Sequence, residues 1–117
     1  MNGPCFSLRV FHPSIDPRKI TEELGLPPQT SWQAGGDKRE TTWQTRLAGA
    51  ESGHGDVNAG LRDIAARFEH YRFFVDEMRA GGGRVEIVVE DAVVKIDCAL
   101  IEAFDDLKIE LSLSPSP

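Results

Sequence analysis

Ile15-Asp16-Pro17-Arg18-Lys19-Ile20-Thr21-Glu22-Glu23-Leu24-Gly25-Leu26-Pro27-Pro28 is the most fully specified stretch of this chain. Asp16 can accept a backbone N–H as an N-cap, and Pro17 falls at the first helical position, where its missing N–H costs nothing. Ile15 and Ile20 stand at the two positions of a hydrophobic staple, which fixes the angle at which the chain turns into the helix. Gly25 suits the left-handed conformation after the last turn, Leu26 can fold back over Ile20 and Thr21, and Pro27-Pro28 forbids continuation. The spacing therefore predicts a short helix from Pro17 to about Leu24, set between two strand-like segments.

Upstream, Phe6, Leu8 and Val10 alternate with Ser7, Arg9 and Phe11, the period of two of a strand with one face on a core; His12-Pro13 ends it. Downstream, Ser31-Trp32-Gln33 and Glu40-Thr41-Thr42-Trp43-Gln44-Thr45 are rich in β-formers and flank Gly35-Gly36-Asp37-Lys38, which reads as a hairpin. Ala48 to Gly55 reads as a poorly ordered loop. Asp56 can cap a long helix whose apolar positions Val57, Leu61, Ile64, Phe68, Tyr71, Val75 and Met78 form one continuous stripe, ended by Gly81-Gly82-Gly83. Val85, Ile87 and Val89 form a strand that Val93 to Ile96 extends or pairs with. Asp97 caps a short helix with Leu100, Phe104 and Leu107 on one side, and Ile109, Leu111 and Leu113 close the chain as a last strand before a frayed tail from about Ser114.

The order β-α-β-β-α-β-α-β fits an α+β domain in which helices cover one face of a largely antiparallel sheet. Its first six elements match a ferredoxin-like split βαβ motif, with an αβ unit added. At 117 residues, 40% hydrophobic and 27% charged, the chain reads as a single domain, residues 1–117, able to fold without metal or disulfide. A net charge of −6 and a pI near 5.0 supply no basic stripe, so nucleic acid and anionic membranes are not expected partners. No stretch resembles a signal peptide or a transmembrane span, and a cytoplasmic location is expected. Cys5 and Cys98, far apart and flanked by apolar residues, read as reduced, buried thiols.

The stretch Ile15 to Pro28 resembles the opening of a bacterial family, domain of unknown function 4279, with its D-P-x-x-I-T-x-x-L-G-x-x-P segment. Gly35, Gly36 and Trp43 fall where that family has a glycine-containing turn and a tryptophan, and the element order matches from about Phe6 to Ser112. The residues that carry the resemblance are mostly cap, staple and stop residues. It implies a fold, and brings no activity or catalytic residues with it.

Candidate chemistry is sparse. His54 and Asp56 in Gly53-His54-Gly55-Asp56 are two potential ligands without a third nearby, so a glycine loop ending in a capping aspartate is the favoured reading. No cofactor and no metal site is expected, and no serine or cysteine lies in a recognised nucleophile motif. Gly81-Gly82-Gly83 follows a helix rather than preceding one, so it lacks the amide cradle that binds phosphate. Glu90, Asp91 and Asp97 read as a solvated acidic cluster. Trp32 and Trp43 lie in a polar stretch, where two readings stand: a lid on the core, or an aromatic contact surface. The core reading is stronger for Trp43.

The expectation that follows is a noncatalytic protein-binding module, monomeric or homodimeric, that uses the hairpin and the following loop, with Trp32, Trp43, Arg39 and His54 as contact residues. Docking of this acidic domain on a basic protein, as immunity-type proteins do, is one version. The alternatives are a small-molecule binder or weak enzyme on the uncovered sheet face, with Arg9, His12 and Glu86 as polar groups, and an oligomerisation unit.

Overall fold

The computed structural model describes residues 5–47, 57–90 and 96–114. Strand β1 is Cys5–His12, helix α1 Pro17–Leu24, strand β2 Thr30–Trp32 and strand β3 Thr41–Leu47. Helices α2 (Val57–Glu69) and α3 (Arg72–Ala80) lead to strand β4 (Arg84–Glu90), helix α4 (Cys98–Leu107) and strand β5 (Glu110–Ser114). The strands form one sheet in the order β2-β3-β1-β4-β5. The first three neighbouring pairs are antiparallel, and β4–β5 is parallel. With β3 between β1 and β2, and β1 between β3 and β4, the first four strands make the split βαβ arrangement expected from the element order. Parallel neighbours need a crossover, and α4 supplies it for β5.

Alternation along the strands decides which face meets the helices. Phe6, Leu8 and Val10 of β1, Trp43 and Leu47 of β3, and Val85, Ile87 and Val89 of β4 are buried on one face. Ile20 and Leu24 of α1, Leu61, Ile64 and Phe68 of α2, Phe74, Val75 and Met78 of α3, and Leu100, Phe104 and Leu107 of α4 join them in one cluster. Four helices of eight to thirteen residues are too short to hold themselves in water, so burial against this sheet face is what stabilises them.

Helix α1 begins and ends where its sequence places it. Asp16 Oδ1 accepts the Arg18 backbone N–H at 3.0 Å, and Gly25, at φ 67°, donates its N–H to Thr21 O at 2.8 Å. Ile20 is buried, and Ile15 and Leu26 pack against the core at either end of the helix. The hydrogen bonds from the Arg18 guanidinium, then from its backbone N–H, hold the Asp16 carboxyl below its ordinary value of 3.8.

Three expectations are corrected. The long helix is two: His70 and Tyr71 donate to Arg67 O (3.2 Å) and Phe68 O (3.0 Å), a tightened 3₁₀ turn that ends α2, and α3 restarts at Arg72. Tyr71 is held there by its hydroxyl, which donates to Leu24 O at 3.1 Å, and by edge-on contact with Phe68 at 5.5 Å. The break lets α2 pack on α4 while α3 packs on β4, and the buried stripe survives it. Asp97 occupies the N-cap position of α4 but makes no side-chain cap bond, because its carboxylate meets Arg62 at 3.4 Å instead. Cys98 is exposed rather than buried: it opens α4, and Leu100, Phe104 and Leu107 take the inward positions. The readings of the loop from Ala48 to Gly55, of the Asp56 cap, of Val93 to Lys95 and of the Cys5 side chain lie outside what is described.

The glycine run after α3 has a packing reason. A Cβ on Gly83 would sit 2.3 Å from Phe11 O and 3.0 Å from Met78 O, so only glycine lets the chain pass between α3 and β1.

Because Phe68 is buried under α4 and the sheet, Phe68→Ala is expected to cost about 3–5 kcal/mol, and exposed Arg62→Ala well under about 1, in denaturant melts. Equal midpoints would reject the core assignment. The Asp16 cap makes a second, pH-dependent expectation. A lowered carboxyl stabilises the fold above its unfolded value and loses that effect as pH falls through its folded value. Asp16→Ala should therefore melt below the parent at neutral pH, and the gap should close as pH is brought below 3.8.

Candidate functional site

The face of the sheet opposite the core carries the side chains that register assigns away from the helices. Trp32, Thr42, Phe11 and Arg84 lie across β2, β3, β1 and β4 in one row, as Trp32 pairs with Thr42, Thr42 with Phe11 and Phe11 with Arg84. Gln44, Arg9, Glu86 and Glu110 form the next row, and Arg46, Ser7, Val88 and Ser112 the third.

Trp32 is 40% exposed at the β2 edge. The Lys38 ammonium lies 4.9 Å from its ring centroid, brought back by a turn in which the N–H groups of Gly35 and Lys38 donate to each other's carbonyls at 3.0 and 2.9 Å. The Arg84 guanidinium stacks 4.2 Å from the Phe11 ring. Both pairs hold a cation over an aromatic face, which limits the freedom of two long side chains and leaves their N–H groups available at the surface. In the middle row Arg9 Nη1 lies 3.8 Å from Glu86 Oε1, while Ser112 Oγ donates to Glu86 Oε2 at 2.7 Å. Arg9 Nε is buried with no acceptor among the described residues.

Trp43 is corrected from a candidate contact residue to a core residue. It is 0% exposed, on the helix side of β3, and its indole N–H donates to Thr21 Oγ1 at 3.0 Å. Polar neighbours in the sequence disguised this, because Thr41 and Thr45 are buried beside it: Thr41 Oγ1 donates to Ile15 O (2.6 Å) and Thr45 Oγ1 to Pro27 O (2.7 Å). Trp32 and Trp43 therefore stand on opposite faces of one hairpin. Arg39 is exposed at the hairpin turn and makes no ion pair among the described residues; His54 lies outside them.

His12 does not join Arg9 and Glu86. Its Nδ1 accepts the backbone N–H groups of Ser14 and Ile15 at 3.0 and 2.9 Å, which fixes the proton on Nε2 and makes the ring part of the turn into α1. Phe11, Lys38 and Arg84 are the site residues that sequence reasoning missed. Phe11 was findable, since it shares the parity of Ser7 and Arg9, but the cations above the two rings depend on turn geometry and strand pairing.

Charge is unevenly spread. Helix α4 carries Glu102, Asp105 and Asp106 exposed with no cation of its own, whereas Lys38, Arg46 and Arg84 on the sheet side have no carboxylate partner among the described residues. Among the described residues no group of three histidine, cysteine or acidic side chains is placed to hold a metal ion, and no helix is long and apolar enough to cross a membrane.

The opposite placement of the two tryptophans gives a clear test. Trp43→Ala is expected to lose about 3–5 kcal/mol in a denaturant melt, whereas Trp32→Ala should stay within about 1 kcal/mol of the parent. Equal losses would put both rings in the core.

No family model, no curated protein and no solved structure matches this chain.

Proposed function

We propose that this chain is a noncatalytic protein-binding module of the bacterial cytoplasm, and that its contact surface is the corner of the open sheet face around Trp32. One observation carries the reading: an aromatic side chain with no core role stands 40% exposed at a sheet edge with the Lys38 ammonium over its ring, in a row that ends three strands away on Arg84 stacked over Phe11. Tryptophan and arginine are enriched among the few residues that dominate the energetics of protein interfaces. A partner docking here meets Lys38 first, and one that spans the row reaches Arg84, so it presents neutral or acidic groups to them. The version in which the domain docks on a basic protein would use the acidic surface of α4 instead. Membership of the family called domain of unknown function 4279 is part of the proposal, supported by the segment from Ile15 to Pro28.

A second reading has its own observation. Arg9 Nε is buried without an acceptor beside Glu86, so a small molecule with an acceptor lying along the middle row would satisfy a donor that folding leaves costly.

The two readings separate in one set of variants. On the protein-binding reading, Trp32→Ala melts with the parent but weakens capture of its partner roughly thirtyfold, since an aromatic anchor contributes about 2 kcal/mol or more. On the small-molecule reading, Trp32→Ala is silent, while Arg9→Gln abolishes the thermal stabilisation conferred by a ligand. A Trp32→Ala protein that retains every captured partner would remove this corner as the functional surface.

A further inference from the structure

We propose that β5 pairs with β5 of a second copy of this chain, joining two five-stranded sheets into one across a two-fold axis at Ser112. Among the described residues β5 has β4 as its one neighbour, so the other edge of residues 110–114 presents backbone donors and acceptors without strand partners. The opposite edge, β2, is three exposed residues long and too short to do the same.

Two further observations select the occupant. Beside the free edge, Ile96, Ile101, Leu111 and Leu113 line an apolar groove of about 300 Å³, with Ile101 50% and Leu113 49% exposed. The strand itself, Glu110-Leu111-Ser112-Leu113-Ser114, reads the same in both directions about Ser112 over its three central residues. Antiparallel pairing about that residue sets Leu111 opposite Leu113 of the other copy, twice, on the helix side. It sets Glu110 opposite Ser114 rather than opposite another carboxylate. Leu113 of each copy then enters the groove beneath Ile101 of the other, an isologous contact in which one patch is complementary to itself. The strand has no lysine and no proline between its first and last residues, and its one charged residue, Glu110, lies at its start. A basic extended peptide would find carboxylates along α4, but it has no claim on the symmetric leucine spacing. That spacing decides for a second copy.

The test is sedimentation velocity of the full chain over a concentration series. The expected result is a rise in mass from 12.9 kDa to twice that value. Leu113→Lys should melt with the parent and associate about tenfold more weakly or worse, since the charge is placed twice in a two-fold interface, while Phe73→Lys, exposed on α3, should associate as the parent does. A second measurement does not depend on that variant's stability. With Cys5 and Cys98 both replaced by serine, Ser112→Cys should give a disulfide-linked dimer on mild oxidation and Phe73→Cys should not. A monomer at every concentration, a dimer indifferent to Leu113→Lys, equal cross-linking at positions 112 and 73, or a monomer that takes a lysine-rich strand at this edge would each overturn the proposal.

Discussion

The attachment of α1 to β3 is the constraint on which the rest of the fold depends. Trp43 fills the core between them and donates its indole N–H to Thr21, whose hydroxyl lies 3.5 Å from Pro17 O. Thr41 and Thr45 grip the chain on either side of the helix, at Ile15 O and Pro27 O. A buried threonine without a partner would cost about 1–3 kcal/mol, so these bonds hold α1 in a single register as well as satisfying its flanks. With α1 fixed over β3, one face of the sheet is the one the helices cover. The remaining helices follow the apolar residues of β1 and β4 onto that face.

The same constraint creates the open face. A hairpin strand whose tryptophan and threonines point to the helices must present its intervening residues the other way, and Thr42, Gln44 and Arg46 are those residues. Pairing to β1 and β4 then brings Phe11, Arg9, Arg84 and Glu86 alongside them. The surface around Trp32 is thus a by-product of core packing in its position and a departure from it in its chemistry. A buried guanidinium donor without an acceptor among the described residues, at Arg9, is a costly thing to leave on a face with no structural duty.

Charge and edges partition the molecule further. Acidic groups gather on α4, cations gather on the sheet side, and the two ends of the sheet are unequal. At β2 the edge is only three residues long and ends on Trp32. At β5 it is longer, flanked by exposed isoleucine and leucine, and charged only at its first residue, Glu110. A net charge of −6 therefore describes no single surface of this domain, and arguments from it alone reach only the helical layer.

Local chemistry was enough to determine α1 and the strands β1 and β4. The cap, staple and stop around α1 act within a few residues of one another, so the sequence fixes that helix to its ends, and strict alternation does the same for β1 and β4. The split βαβ order was readable because chain connectivity leaves few ways to pair five strands. What needed tertiary structure was every decision made by distant partners. Trp43 is core because Thr21 and α1 come to it across twenty-two residues, Tyr71 breaks a helix because its hydroxyl reaches Leu24, and Asp97 gives up its cap to Arg62. His12 was decided locally: it shares the parity of Val10, and its ring accepts the N–H groups of Ser14 and Ile15, two and three residues on. Periodicity reports which residues are apolar at which spacing. It carries no information about which polar group a buried side chain will find, and on that point the two tryptophans of one polar hairpin went to opposite faces.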